Sequence, residues 1–436
     1  MDLMVTIRKI NSKQITKDNI QDFIPRKSLN LKDIQYDVME IINQTIINGD
    51  KALIRYTKQF DKVSLDKKNI KITPKEIQDA YEKIDESLLD ALRFAKKNLL
   101  KFHKAQLREE WFIEIVEGVK AGQITRPIES VGLYIPAGKA IYPSTVLMAT
   151  APATIAGVKD IILCSPPQNN GTIAPEIIVT AKEFGIERMY KVGGVQAIAA
   201  MAYGTETIPK VLKVVGPGNK WVNAAKQLLS NVIAIDSPAG PSEILIIADE
   251  SANYEYILAD FISQLEHDPD NMAIFITNSE DLMKKVTQNL EFVTENSQRK
   301  EIIQSAFHNS LLIISDDMKE CIRVSNIIAP EHLEILTENP KKILNNINNA
   351  GAVFLGPYSP VPLGDYSAGT NHILPTGGYA KTYSGLNVLD FIKIMDVLEC
   401  TDKGLKNLSS SALKIAQFEK LFAHRESIKK RLEEKS

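Results

Sequence analysis

The chain has 436 residues, 44% hydrophobic and 24% charged, a length for two or three domains and a composition for a soluble globular protein. Lys and Arg number 52 against 54 Asp and Glu, and the formal charge of −2 excludes the global electrostatic footprint of a nucleic-acid or anionic-membrane binder, favouring a small, roughly neutral ligand. No segment approaches the ~20 uninterrupted apolar residues of a membrane span and the N-terminus has no apolar run of signal-peptide length, so a cytoplasmic protein is expected.

The first hundred residues read as helices. "LKDIQYDVMEIINQTIING" runs to Gly49, and a second, long helix opens with Thr73, Pro74 and Glu76, an N-cap, an N1 proline and the N3 acid of a capping box. "WFIEIVEG" and "GQITRPI" then read as a hairpin. From Val131 the strands "VGLYI", "DIILC", "MYKVG", "VLKVV" and "NVIAI" alternate with helical segments. A second series, "EILIIAD", "AIFITNS", "SLLIISD", "HLEIL" and "GAVFLG", follows the same plan. Such alternation predicts two doubly wound, largely parallel α/β units with a cleft between them, and the chain ends in a helical tail. Cys164, Cys321 and Cys400 fall in no metal or redox spacing, which fits a reducing compartment.

Of the six histidines, His103 and His308 have ordinary polar surroundings. The other four keep more chemical company. Gln264 and His267 in "QLEH" are three apart and share a helical face; Glu331 and His332 are adjacent in "APEHLEI"; His372 follows Asp365 in "GDYSAGTNH"; His424 follows Glu419 in the tail. Imidazole and carboxylate suit zinc, yet a Gln-x-x-His pair is also a common surface feature. Glu331 and His332 can exchange protons near neutral pH only if the backbone turns between them; otherwise they form a plain helix-to-strand junction. The loops "YIPAG", "VGGVQ" and "GPGN" allow close backbone approach to a ligand, but none is a Gly-x-Gly-x-x-Gly fingerprint. Ser242 lies in "SPAGPSE", at the junction of the two units.

Taken together, "IDSPAGPSEILIIADESANYEYILADFISQLEH", "SVGLYIPAG", "KVGGVQAIAAMAYGT", "VGPGN", "APEHLEI" and "GDYSAGTNHILPT" resemble the histidinol dehydrogenase family from about residue 30 to the tail. The resemblance implies two Rossmann-like domains: a catalytic unit of residues 31–130 with 243–386 and an NAD-binding unit of 131–242, flanked by an arm (1–30) and a helical tail (387–436) that contacts a partner subunit. It implies oxidation of L-histidinol through histidinaldehyde to L-histidine with two NAD⁺, by a homodimer with one zinc per subunit. Gln264, His267, Asp365 and His424 are the implied zinc ligands, and Glu331 and His332 the implied catalytic pair. Ser242, His372 and Glu419 are implied substrate contacts, alongside His332 and the four ligands. Tyr134, Gln196 and Asn219 are implied NAD contacts. Glu419 and His424 would complete the site of the other protomer. Ala137 and Ile141 depart from the Gly and Pro of many relatives, which puts cofactor fit in question. A zinc hydrolase of a small amide, with Glu331 as base, is the competing reading, and a non-catalytic binding protein with the same cleft is a third; a nucleotide groove is of no use to a hydrolase.

Overall fold

A computed structural model describes residues 7–24, 26, 31–137, 141–238 and 240–433. Gly138 of the "YIPAG" loop, Ala239 of "SPAGPSE" and residues 1–6, 25 and 27–30 of the arm therefore lie outside the described residues. The strands in chain order are β1 (Arg8–Asn11), β2 (Trp111–Val116), β3 (Val119–Pro127), β4 (Ser130–Tyr134), β5 (Asp160–Cys164), β6 (Arg188–Tyr190), β7 (Lys213–Val215) and β8 (Ala234–Ile235). They continue with β9 (Glu243–Ala248), β10 (Met272–Thr277), β11 (Leu311–Ile314), β12 (His332–Leu336), β13 (Ala352–Leu355) and β14 (Ile392–Cys400).

Two parallel sheets form the body. One has the order β6-β5-β4-β7-β8, the other β1-β11-β10-β9-β12-β13. Leaving aside β1 at the edge, both follow one plan: the first strand of each unit sits in the centre, the next two lie to one side and the last two to the other. The kinship expected from the alternating pattern is thus topological. Central strands of such sheets are covered on both faces, which is why "EILIIA" and "MAIFIT" are buried throughout.

Helices Leu31–Asn48 and Asp50–Phe60 lie with the β4–β8 core, as do Leu89, Leu92 and Leu99 of helix Glu86–Lys104. Their apolar faces help cover that sheet, and helix Glu86–Lys104 also meets the 367–371 segment, where Asn98 Nδ2 donates to Ser367 O at 2.9 Å. Lys213 Nζ reaches the backbone oxygen of Asp390 at 2.8 Å, so the 371–391 segment also touches this unit.

Local chemistry accounts for most boundaries. The Thr73 capping box forms, with Glu76 N–H donating to Thr73 Oγ1 at 3.2 Å and Thr73 N–H to Glu76 Oε2 at 2.9 Å. The long helix expected after it is two helices, Pro74–Lys83 and Glu86–Lys104. Asp85 is the reason: its side chain accepts the Leu88 N–H at 2.9 Å and so starts a new helix. The tail is also divided, into Asp402–Phe418 and Phe422–Glu433, at Lys420 with φ 59°. Inside residues expected to be helical, β14 pairs antiparallel with β3, next to the expected hairpin of β2 and β3. Its side chains are mostly exposed on both faces, so no hydrophobic alternation announces it. No helix among the described residues is long and apolar enough to cross a membrane.

Candidate active site

Glu331 and His332 stand at the amino-terminal edge of β12, where the backbone is irregular. Ala329 closes the preceding helix in the left-handed region (φ 53°), Pro330 follows, and Glu331 is a bend rather than a strand residue. A non-glycine residue there costs about 1–2 kcal/mol, a strain that the surroundings must hold in place. They do so from β13, where Ala352 N–H donates to Glu331 O at 2.9 Å. A Cβ on Gly351 would come within 2.6 Å of that same oxygen. The turn required for both side chains to serve one site is therefore present, and Glu331 Oε2 lies 3.6 Å from His332 Nδ1.

Both side chains are clamped by one residue of the neighbouring strand. Glu243 N–H donates to Glu331 Oε2 at 2.8 Å, and Glu243 O lies 3.1 Å from His332 Nδ1. A carbonyl only accepts, so Nδ1 carries the proton and Nε2 is left to exchange one. Nε2 lies 3.5 Å from Asp365 Oδ1, an ion-pair distance longer than a good hydrogen bond. Burial pushes the Glu331 carboxyl up to about 8. Burial alone would lower His332, but the Glu331 and Asp365 carboxylates outweigh it and raise the imidazole to about 9. Two proton-exchanging groups in this range, both 4% exposed, suit acid–base work at alkaline pH, where each has given up its proton and can accept one.

Asp365 and His372 adjoin this pair. Burial works against the Asp365 carboxylate, yet its contact with His332 and the charges of His332, His372 and His267 together hold it below the usual range. His372 Nδ1 approaches the Asp365 backbone oxygen at 3.0 Å. Gln264 is buried in the last turn of helix Tyr254–Leu265. Its backbone oxygen accepts from Asn271 Nδ2 at 2.9 Å, and Asn271 Oδ1 in turn accepts the Ser242 N–H at 3.2 Å. His267 is exposed just beyond the helix, and Glu266, which ends it, is exposed as well. Glu419 and His424 are exposed in the tail. Among the described residues no three His, Cys, Asp or Glu side chains are grouped to hold a metal.

The other implied residues sit at the carboxyl ends of the β4–β8 sheet. The crevice between β4 and β7, where the strand order reverses, is where such sheets take ligands. Tyr134 ends β4, and its hydroxyl oxygen accepts the Gly194 N–H at 3.2 Å. Gln196, 1% exposed, has both amide atoms without a hydrogen-bond partner. Asn219 caps helix Lys220–Leu228, accepting from Trp221 and Val222 N–H at 3.0 and 3.2 Å. Gly216 (φ 122°) passes so close to Tyr134 that a Cβ would lie 2.0 Å from its backbone oxygen, so only glycine lets the two loops meet. Ala137 bridges Ile141, keeping the departing residues of the first loop together. Cys164 and Cys321 are buried in the cores and Cys400 is exposed on β14, all away from the acid–imidazole pair.

Sequence reading passed over Arg26 and Glu243. The signal was a charge heading an otherwise apolar strand, a position that demands a partner. Arg26 Nε and Nη2 donate to the two Glu243 oxygens at 3.0 and 2.8 Å, and Gly377 N–H adds a third bond at 3.0 Å. Burial pushes the Glu243 carboxyl up and these donors pull against it. Arg26→Met is expected to destabilise the protein by about 3–5 kcal/mol, because it strands a buried carboxyl. Urea unfolding followed by circular dichroism measures this; an unchanged midpoint would mean that Glu243 is compensated otherwise.

An α/β enzyme with acid–base chemistry at the edge of one sheet, and a ligand crevice at the switch point of another, is the class that these features define. The chain belongs to the histidinol dehydrogenase family, whose profile matches residues 24–432. It is 46% identical over 427 residues to histidinol dehydrogenase of Methanocaldococcus jannaschii, covering 98% of each chain. Against the Clostridium acetobutylicum histidinol dehydrogenase it is 47% identical over 392 residues, 90% of each. The crystal structure of histidinol dehydrogenase from Elizabethkingia anophelis superposes with a TM-score of 0.95 at 41% identity, covering 100% of this chain and 99% of that one.

Proposed function

We propose that this enzyme oxidises L-histidinol through histidinaldehyde to L-histidine, reducing two NAD⁺, with a zinc ion in the site. The observation that carries the chemistry is the buried Glu331–His332 pair clamped on the Glu243 backbone, with Nε2 of His332 left to take a proton. His332 takes the alcohol proton as a hydride leaves the carbinol carbon. Glu331 draws a proton from the water that adds to the aldehyde, and His332 takes the hydrate's proton in the second oxidation. Each oxidation passes two electrons as a hydride; the first releases one proton, and hydration with the second oxidation releases two, both from the added water that supplies the second carboxylate oxygen.

The donor chemistry fits zinc: amide oxygen of Gln264, imidazole nitrogen of His267 and carboxylate oxygen of Asp365 would be the ligands from this chain. His424 of a second copy would be the fourth ligand. When bound, zinc would anchor the imidazole and amino nitrogens of histidinol, and NAD⁺ would accept the hydride. Ser242, His372 and, from the second copy, Glu419 would contact the substrate. The partnerless amide of Gln196 supports a ligand in the switch-point crevice, with Tyr134 and Asn219 on its rim. The shared site requires a homodimer, and the surface supports one. Ile415 (55%), Phe418 (89%), Leu421 (43%) and Phe422 (54%) are exposed along the tail, as are Trp111, Phe112, Ile113 and Leu398 on the three-stranded sheet. Apolar surface of that extent marks a protein interface.

A single assay tests the reading. Purified enzyme with L-histidinol and NAD⁺ should yield two NADH per histidinol, lose activity to a chelator and regain it with zinc. Absence of NADH with metal present would refute it, and activity untouched by the chelator would remove zinc.

A further inference from the structure

Glu334 lies inside β12, two residues after His332 and on the same side of the sheet, and is 1% exposed in a strand otherwise built for an apolar core. Its Oε1 accepts the N–H of Val361, the first residue of the helix Val361–Tyr366 that carries Asp365, at 3.0 Å. Its Oε2 is buried and meets no ordinary donor. What faces the carboxyl group instead is the side chain of Asp260, in hydrogen-bond contact with it. Asp260 belongs to helix Tyr254–Leu265, one turn before Gln264 on the same face.

Two carboxyl groups in such contact cannot both be ionised, since each would then offer only acceptors to the other. We propose that Asp260 and Glu334 share one proton, and that this acid pair is a positioning device of the active site. It joins at one point the helix that carries Gln264 and leads to His267, the strand that begins with His332, and the helix that holds Asp365. Burial, with the neighbouring carboxylate second, pushes Glu334 up, and burial pushes Asp260 up, the direction expected of a pair that keeps a proton. The proton resides on Glu334, the more buried partner, so that Oε2 donates to Asp260 while Oε1 accepts from Val361. Neither residue is placed to touch substrate; both act through the three elements they tie. The positioning role rests on the reading of Gln264, His267 and Asp365 as the metal and substrate site, whereas the shared proton does not.

The test uses the full-length enzyme with Glu334→Gln and Glu334→Ala. The glutamine amide donates to Asp260 and accepts from Val361 as the protonated acid does, so this variant should keep the parent's thermal midpoint, zinc content and histidinol KM. Glu334→Ala should lose zinc and raise the histidinol KM about tenfold, as expected for loss of a residue that orients ligands, with the KM for NAD⁺ unchanged. Difference infrared spectroscopy at neutral pH should find a protonated-carboxyl band that Glu334→Gln lacks. A glutamine variant as impaired as the alanine variant, or no such band, overturns the shared proton. An equal rise in both KM values overturns the positioning role. A band and glutamine rescue with zinc content independent of residue 334 would instead count against the metal-site reading, and so against positioning through it. If Glu334→Ala does not fold, the glutamine variant and the band still decide on the proton.

Discussion

His332→Asn is expected to lower kcat for histidinol oxidation by about 10²–10⁴-fold, the range for loss of a positioned general base, with little change in zinc content. The asparagine amide can still donate to Glu243 O, which His332 Nδ1 approaches at 3.1 Å, so the fold around the bend should survive. What disappears is the ring nitrogen facing Asp365, the atom assigned to take the alcohol proton. Steady-state kinetics with metal analysis of the same preparation measures both quantities. A kcat close to that of the parent would remove His332 from the chemistry, and a parallel fall in zinc would make it part of the metal site instead.

His424→Ala should lower zinc affinity by about 100-fold or more, since even residues that merely support a ligand are worth 10–100-fold, and activity should fall with it. Within one chain His424 is exposed in the tail, so burial in the monomer offers no reason for such an effect. Only a tail that crosses to a second copy provides one. Dimers mixing a His332→Asn chain with a His424→Ala chain separate the cases. If tails cross, one of the two sites has an intact core and an intact tail, and activity returns. If each tail serves its own chain, every site is damaged and nothing is recovered. A His424→Ala protein that keeps both metal and turnover would reduce the tail to packing.

Much of the fold was legible because its causes are local. The Thr73 box, the apolar run of β11 and the turn glycines act over a few residues, and their chemistry can be read where it stands. Elements decided by distant partners were not. The two-helix form of residues 74–104 follows from the choice of Asp85 as a cap over a continuous helix, and β14 exists only because β3 offers it an edge. Of the site, residue types and motif order picked out Glu331, His332, Asp365 and His372, and the structure brings them together. It leaves Glu419 and His424 exposed in the tail, where one chain alone cannot place them.

The sequence by itself determined the strand-and-helix alternation, the family and the set of residue types able to do the chemistry, since all three are carried by contiguous motifs. Tertiary structure alone decided that the acid–imidazole pair sits at the amino edge of one sheet while the glycine loops lie at the carboxyl edge of the other. It alone decided that Arg26 neutralises Glu243 across 217 positions of chain, and that Asp260 meets Glu334. Buried charges need partners, and where the partner is far along the chain no local pattern names it; the fold supplies it.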